Sequence, residues 1–204
     1  MSSEHFDKKA QNWDNNPGKI ARAKNIAEEI IEIIKPTKKM KALEFGCGTG
    51  LLSFQLKNYF EEITLVDTSK GMIDVLKEKV KKLKIENFKP LLVDVLENSK
   101  NISKTDVIYT LMTMHHIIEI DKAVKKFHTL LNKNGYLCIA DLVEEDGSFH
   151  STVQNFIGHN GFNKLTLTEI LHKNGFKAIH YSICYEIEKS DKKYPLFLLI
   201  AKKV

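Results

Sequence analysis

The sequence predicts an α/β protein, with a mostly parallel sheet carrying helices on both faces and two antiparallel strands closing it. Three observations predict it. Short apolar runs alternate with segments of helical periodicity along most of the chain, the pattern of successive βαβ units. One run enters a helix through three glycines spaced by one residue, in Met40-Lys41-Ala42-Leu43-Glu44-Phe45-Gly46-Cys47-Gly48-Thr49-Gly50. The last two apolar runs have only a turn between them, so they pair antiparallel.

Each element has its own signal. Phe6, Ala10 and Trp13 mark the apolar face of a short helix within residues 3–16, broken by Pro17 and Gly18. Ile20, Ala23, Ala27, Ile30, Ile31 and Ile34 line a helix from about 19 to 35, and Pro36 stops it. Leu43 and Phe45 alternate with polar neighbours as a first strand; Leu51, Leu52, Phe54 and Leu56 then open a helix to about Phe60. Glu62 to Val66 is a second strand ending at Asp67, and Ser69 caps a helix carrying Met72, Ile73, Leu76, Val80 and Leu83. Phe88 to Val93, ending at Asp94, is the third strand; Asp106 to Met112 is the fourth.

A loop with His115 and His116 leads to a helix reaching about Leu131. Asn134-Gly135 then turns the chain into a fifth strand, Tyr136 to Ala140, ending at Asp141. Residues 142–162 are polar and contain glycine, as a long loop over a site does. Thr166 to Lys173 reads as a helix ended by Asn174-Gly175. Phe176 to Ile187 and Leu196 to Lys202 are the closing strands, separated by a turn over Glu188 to Tyr194.

With 204 residues and 43% apolar content, the chain has the material for one domain's core. No run approaches a membrane span, and residues 1–7 lack the apolar stretch of a secretory signal. Cys47, Cys138 and Cys184 follow no metal-ligand spacing and read as reduced thiols of a cytoplasmic protein. The net charge of +5 comes from thirty lysines and one arginine, Arg22. Arginine is the better reader of phosphates and bases, so a nucleic-acid partner is not expected.

The glycine turn carries the functional signal. Glycine has no β-carbon, so a ligand can approach the backbone closely there, in the crevice at the carboxyl end of a parallel sheet. A dinucleotide fingerprint needs glycine at the first, third and sixth positions. Here the sixth is Leu51, glycine stands at the fifth, and Glu44 precedes the turn, where a carboxylate repels pyrophosphate and suits a cation. Asp67 lies twenty-one residues beyond Gly46, where a carboxylate can accept the hydroxyls of a ribose. Glu44, Asp67 and Asp94 thus stand at three successive strand ends, more than helix capping alone explains.

With these residues in place, the chain resembles the class I S-adenosylmethionine-dependent methyltransferases, and the likeness spans nearly its whole length. Glu44-Phe45-Gly46-Cys47-Gly48-Thr49-Gly50 has the form of their first motif, and Asp67-Thr68-Ser69-Lys70-Gly71-Met72 that of their D-x-S-x-x-M segment. The resemblance implies a Rossmann-like sheet of seven strands, mostly parallel, with the last strand inserted antiparallel beside the fifth. It implies S-adenosyl-L-methionine as cofactor, with S-adenosyl-L-homocysteine as product. The implied contacts are Glu44, Gly46, Cys47, Gly48, Gly50, Asp67, Thr68, Met72, Asp94, Val95 and Leu111. In this reading Glu44 and the turn face the methionine ammonium, Met72 packs on adenine, and Asp94 with the Val95 amide reads the adenine edge.

Phe6-Asp7-Lys8-Lys9-Ala10 and Trp13-Asp14 resemble the lid of small-molecule methyltransferases of the ubiquinone-biosynthesis type. One domain over 1–204 is therefore expected, with a helical lid over 1–36, a cofactor-binding core over 37–141, and a substrate-side loop, helix and closing strands over 142–204. A water-excluding lid would shape the acceptor pocket.

Methyl transfer is an in-line displacement at carbon, so alignment is the main task, and a base is needed only for an acceptor that must lose a proton. The family places acceptor-side residues after the fourth and fifth strands, where this chain has His115, His116, His150 and His159. Histidine titrates near neutrality, which suits each to accept a proton or to orient the acceptor. No metal is expected, because no histidine spacing is a recognised ligand pattern and the residues come from separate loops. The expectation is a cytoplasmic methyltransferase of a small-molecule acceptor, monomeric or homodimeric. The alternatives are a tRNA or protein methyltransferase, and a methyltransferase-like binding subunit without catalysis.

Overall fold

The computed structural model describes residues 3–151, 153 and 156–204; residues 1, 2, 152, 154 and 155, which belong to the expected lid and loop, lie outside the described residues. The chain begins with α1 (Ser3–Asp7), a 3₁₀ helix (Ala10–Asn15) and α2 (Pro17–Ile34). Alternating units follow: β1 (Lys41–Phe45), α3 (Leu51–Leu56), β2 (Glu62–Asp67), α4 (Lys70–Lys82) and β3 (Phe88–Leu92). Then come β4 (Thr105–Leu111), α5 (Ile120–Leu130), β5 (Leu131–Leu142), α6 (Lys164–Lys173), β6 (Phe176–Lys189) and β7 (Lys192–Lys203).

Among the described residues seven strands form one sheet, ordered β3-β2-β1-β4-β5-β7-β6. Strands β1 to β5 pair in parallel, and β7 lies antiparallel between β5 and β6. This is the expected Rossmann-like sheet. Strand order reverses between β1 and β4, which opens the crevice above their carboxyl ends.

Both faces of the sheet are covered, and the strands alternate between two cores as a period of two requires. Ala42, Ile63, Leu65, Val107, Tyr109, Leu198 and Ile200 pack under Ile26 and Ile30 of α2, Leu52 of α3 and Leu76 of α4. Leu43, Val66, Ile108, Leu137, Phe197 and Leu199 face Phe127 of α5 and Leu167 and Leu171 of α6. Glu44 falls on the first of these faces, a placement that decides its environment.

Local chemistry moves several boundaries from their expected places. The first helix is split into α1 and the 3₁₀ helix. Pro17 opens α2 instead of only breaking its predecessor: its fixed φ suits the first helical position, and the Asn16 side chain accepts from the Gly18 and Lys19 amides at 2.9 and 3.3 Å. Helix α3 ends at Leu56, short of Phe60. Helix α6 starts at Lys164, capped by Asn163. Asn134, at φ 62°, sits inside β5, where the register against β4 shifts, so Asn134-Gly135 bends a continuous strand. The closing hairpin is longer than expected. Lys189 pairs with Lys192, and Ser190 and Asp191, at φ 50° and 61°, make the turn.

The 142–162 loop is tied down rather than loose. Val143 bridges Phe162, the Glu145 amide donates to the Asn160 carbonyl at 2.8 Å, and the His159 amide donates to the His115 carbonyl at 2.8 Å. No described helix is long and apolar enough to cross a membrane.

Candidate active site

The glycine turn closes tightly on β2. The Gly46 and Cys47 amides both donate to the Val66 carbonyl, at 2.9 and 3.0 Å. A β-carbon on Gly46 would sit 2.2 Å from Thr113 Cγ2, so this glycine is required by the close approach of the segment after β4. Gly48 differs. Its φ of +52° disfavours a side chain, yet a β-carbon there would meet nothing nearer than Met72 Sδ and Trp13 Nε1, both at 3.9 Å. Its open face looks into a cavity of about 930 Å³. Small-molecule sites span roughly 300–1,000 Å³, so there is room for a nucleoside and a second compact molecule.

The strand-end carboxylates line this cavity and are held by backbone amides. Asp67 accepts from the Gly48 amide at 2.7 Å and the Ser69 amide at 2.8 Å, while burial raises its pKa above the ordinary carboxylate value. Asp94 accepts from the Leu96 amide at 3.0 Å. Cys47, Thr68, Met72 and Leu111 also line the cavity. Val95, expected among the cofactor contacts, is instead fully buried in the core and does not line the cavity.

Glu44 departs from expectation. It reaches the cavity wall, but its carboxyl accepts from Ser53 Oγ, which in turn pairs with Tyr109 OH at 2.6 Å behind the turn. Burial pushes its pKa up to about 8, so at neutral pH it is largely protonated rather than an anion waiting for an ammonium group.

The N-terminal segment closes over the turn through two aspartates. Asp7 accepts from Ser69 Oγ at 2.6 Å and the Gly71 amide at 2.8 Å, and a β-carbon on Gly71 would sit 2.8 Å from Asp7 Cα. Asp14 accepts from Thr49 Oγ1 at 2.5 Å and pairs with Lys79 at 2.6 Å. These contacts set Phe6 and Trp13 edge to face, with ring centroids 6.0 Å apart, and bring Phe6 within 5.5 Å of the His116 ring.

Opposite the turn, His115, His116 and His150 come together. The first two stand on a 3₁₀ turn after β4 (Met114–His116) and the third on one after β5 (Ser148–His150). Ring centroids lie 4.0 Å apart for His115 and His116, 5.1 Å for His115 and His150, and 5.7 Å for His116 and His150. Asp141, fully buried at the end of β5, binds His115 Nδ1 at 2.6 Å and accepts from the His115 and Leu142 amides at 3.2 and 2.8 Å. An ionised carboxylate only accepts, so Nδ1 carries the proton and Nε2 is left with its lone pair.

Burial, then His115 beside it, pushes the His116 pKa down to about 2; burial, then His115, brings that of His150 to about 4. Both are neutral imidazoles. His159 is not with them: it is half-buried beside Phe162, its Nε2 lies 3.2 Å from the Ile118 carbonyl, and it does not line the cavity. The expectation that grouped it with the other three is corrected here.

Several lining residues carried no local signal. Lys189 arrives because β6 runs two residues past the expected Ile187, Tyr185 projects from within the expected strand, and Phe149 flanks His150. Arg22, on α2, is half-buried and lines the cavity with Lys19. Its being the chain's sole arginine was the available hint.

A doubly wound sheet with an E-x-G-x-G-x-G turn, a ribose-suited aspartate and a lidded crevice is the construction of S-adenosylmethionine-dependent methyltransferases. A family model described as a methyltransferase domain matches residues 36–194, and the chain belongs to that family. An O-methyltransferase of ubiquinone biosynthesis from Pelagibacter ubique is 34% identical over 154 residues, covering 68% of this chain and 63% of that protein. An uncharacterized methyltransferase of Schizosaccharomyces pombe is 33% identical over 121 residues, covering 56% of this chain and 43% of that protein. The chain therefore spans less than two thirds of each. In fold it is similar to a SAM-dependent methyltransferase from Aquifex aeolicus, with a TM-score of 0.71 at 17% identity over 100% of both chains. It is also similar to the N-methyltransferase NodS from Bradyrhizobium japonicum in complex with S-adenosyl-L-homocysteine, with a TM-score of 0.72 at 15% identity over 94% of this chain and 90% of that one.

Proposed function

We propose that the protein transfers the methyl group of S-adenosylmethionine to a compact acceptor bearing a protic heteroatom. The observation that carries this reading is the continuity of one cavity of about 930 Å³ from the glycine turn to the histidine cluster. The residues fit the cofactor: the open face of Gly48 admits its backbone, Asp67 accepts ribose hydroxyls, Met72 packs on adenine, and Asp94 meets the adenine edge. The bound cofactor supplies a sulfonium with an electrophilic methyl carbon and a ready leaving group. The lid over residues 1–36 excludes water through Phe6 and Trp13, the core over 37–141 fixes the donor, and the segment 142–204 completes the acceptor side.

On that side His115 is the group for proton work. Asp141 holds Nδ1 and stabilises the imidazolium formed when Nε2 takes the acceptor's proton. His116 and His150 contribute neutral walls. The names of relatives in ubiquinone biosynthesis support a hydroxyl acceptor, and Arg22 with Lys19 supports one carrying negative charge. The three free cysteines, Cys47, Cys138 and Cys184, support cytoplasmic residence.

Calorimetry with S-adenosylhomocysteine and with NAD, followed by methyl-transfer assays on phenolic and carboxylated acceptors, tests the reading. Binding of S-adenosylhomocysteine but not NAD is expected, with turnover lowered roughly 10²–10⁴-fold in His115→Gln at little changed cofactor affinity. Equal losses of turnover and cofactor affinity would remove His115 from the acceptor side; NAD binding alone would overturn the function.

A further inference from the structure

The histidine cluster holds more than one base needs. One ring nitrogen from each of His115, His116 and His150 lies within 4.8 Å of one from each of the others. Tetrahedral nitrogen ligands at zinc distances stand about 3.4 Å apart, so small side-chain rotations would close the three on one ion. We propose that His115, His116 and His150 form a site for a borderline divalent metal ion, zinc in the first instance, with one coordination position open to the acceptor cavity.

Four features of the chain point to a metal rather than to packed rings. Asp141 fixes His115 with Nδ1 protonated and Nε2 free, the carboxylate–histidine arrangement that orients imidazole ligands and raises their basicity. The Nδ1 atoms of His116 and His150 are buried and have no hydrogen-bond partner among the described residues. Unpaired nitrogens in such a place are costly, and a cation would satisfy them. The rings are walled by Phe6, Phe149 and Phe156, with His150 stacked on Phe156 at 3.8 Å. The scaffold is also fixed: the 142–162 loop donates the His159 amide to the His115 carbonyl, and a β-carbon on Gly158 would strike that carbonyl at 2.5 Å. Three imidazoles and no carboxylate in the ligand set favour zinc or a neighbouring first-row ion over magnesium or calcium.

The role of such an ion rests on the methyltransferase reading above. The acceptor's heteroatom would take the open position and lose its proton to solvent. Its lone pair would then form the bond to the methyl carbon as the carbon–sulfur bond breaks, the electron pair staying on sulfur. His115 Nε2 cannot serve both as metal ligand and as proton acceptor, so metal content decides between the two roles.

The test uses the full chain, stripped with chelator and titrated with Zn²⁺ against a chromophoric competitor and with Co²⁺ by visible absorption. One equivalent per chain is expected, with the d–d bands of a low-coordinate Co²⁺ site. His116→Ala and His150→Ala should each weaken Zn²⁺ at least tenfold while retaining the native circular dichroism spectrum, and His172→Ala, on exposed α6, should not. Absence of stoichiometric binding, or binding indifferent to His116 and His150, overturns the site. Calorimetry with S-adenosylhomocysteine on the same samples separates the two readings. A chain that binds it without metal refutes the metal site alone, and one that binds metal without it refutes the methyltransferase reading alone.

Discussion

The two ends of the cavity are built on opposite plans. At the donor end, polar side chains are satisfied close to home: Asp67 is held by the Gly48 and Ser69 amides, Asp94 by the Leu96 amide. At the acceptor end, three rings from two segments meet, one of them held by the buried Asp141, and two ring nitrogens have no hydrogen-bond partner among the described residues. A preorganised end that completes itself suits a fixed ligand. An end left incomplete suits something added during the reaction, and that is where variation in chemistry belongs.

Substitutions at the two ends should therefore separate. The largest effect is expected for Gly48→Val, which puts a branched side chain at φ +52° on the face open to the cavity; calorimetry should find S-adenosylhomocysteine binding abolished, and unchanged affinity would move the donor elsewhere. Asp67→Ala should weaken the same binding by roughly 1.5–3 kcal/mol, the scale of hydrogen bonds to a charged group. The contrast breaks if His150→Ala weakens it as much.

A further effect concerns Glu44 and is read in stability rather than in binding. Burial raises its folded-state pKa to about 8 from 4.5, so the native chain keeps a proton that the unfolded chain releases. Stability from this source is full below pH 4.5 and falls as the pH rises towards 8. Thermal melts of Glu44→Gln should show a flatter profile than the parent between those values, and a parallel decline would place the carboxyl in water.

The same contrast explains what the sequence discloses. The sheet and the donor end are legible because their signals are local: period-two strands, glycines at fixed spacing, an acidic residue at each strand end. Even there, strand parity and not motif position decides that the Glu44 carboxyl meets Ser53. The acceptor end is assembled across the fold. His116 and His150 are separated by the whole of α5 and β5, so no spacing rule sees their proximity, and His159 looks equivalent to them until the loop turns it outward. Turn chemistry hid the hairpin's length, since Ser190 and Asp191 adopt left-handed φ without a glycine to announce it.

Asp7 and Asp14 carry a kinetic consequence. The N-terminal segment fastens to Ser69 and Gly71 beside Asp67, and to Thr49 within the glycine turn, so its latches adjoin residues that line the cavity. In a methyltransferase built as proposed, undoing these two latches would be the step that gates release of the demethylated donor.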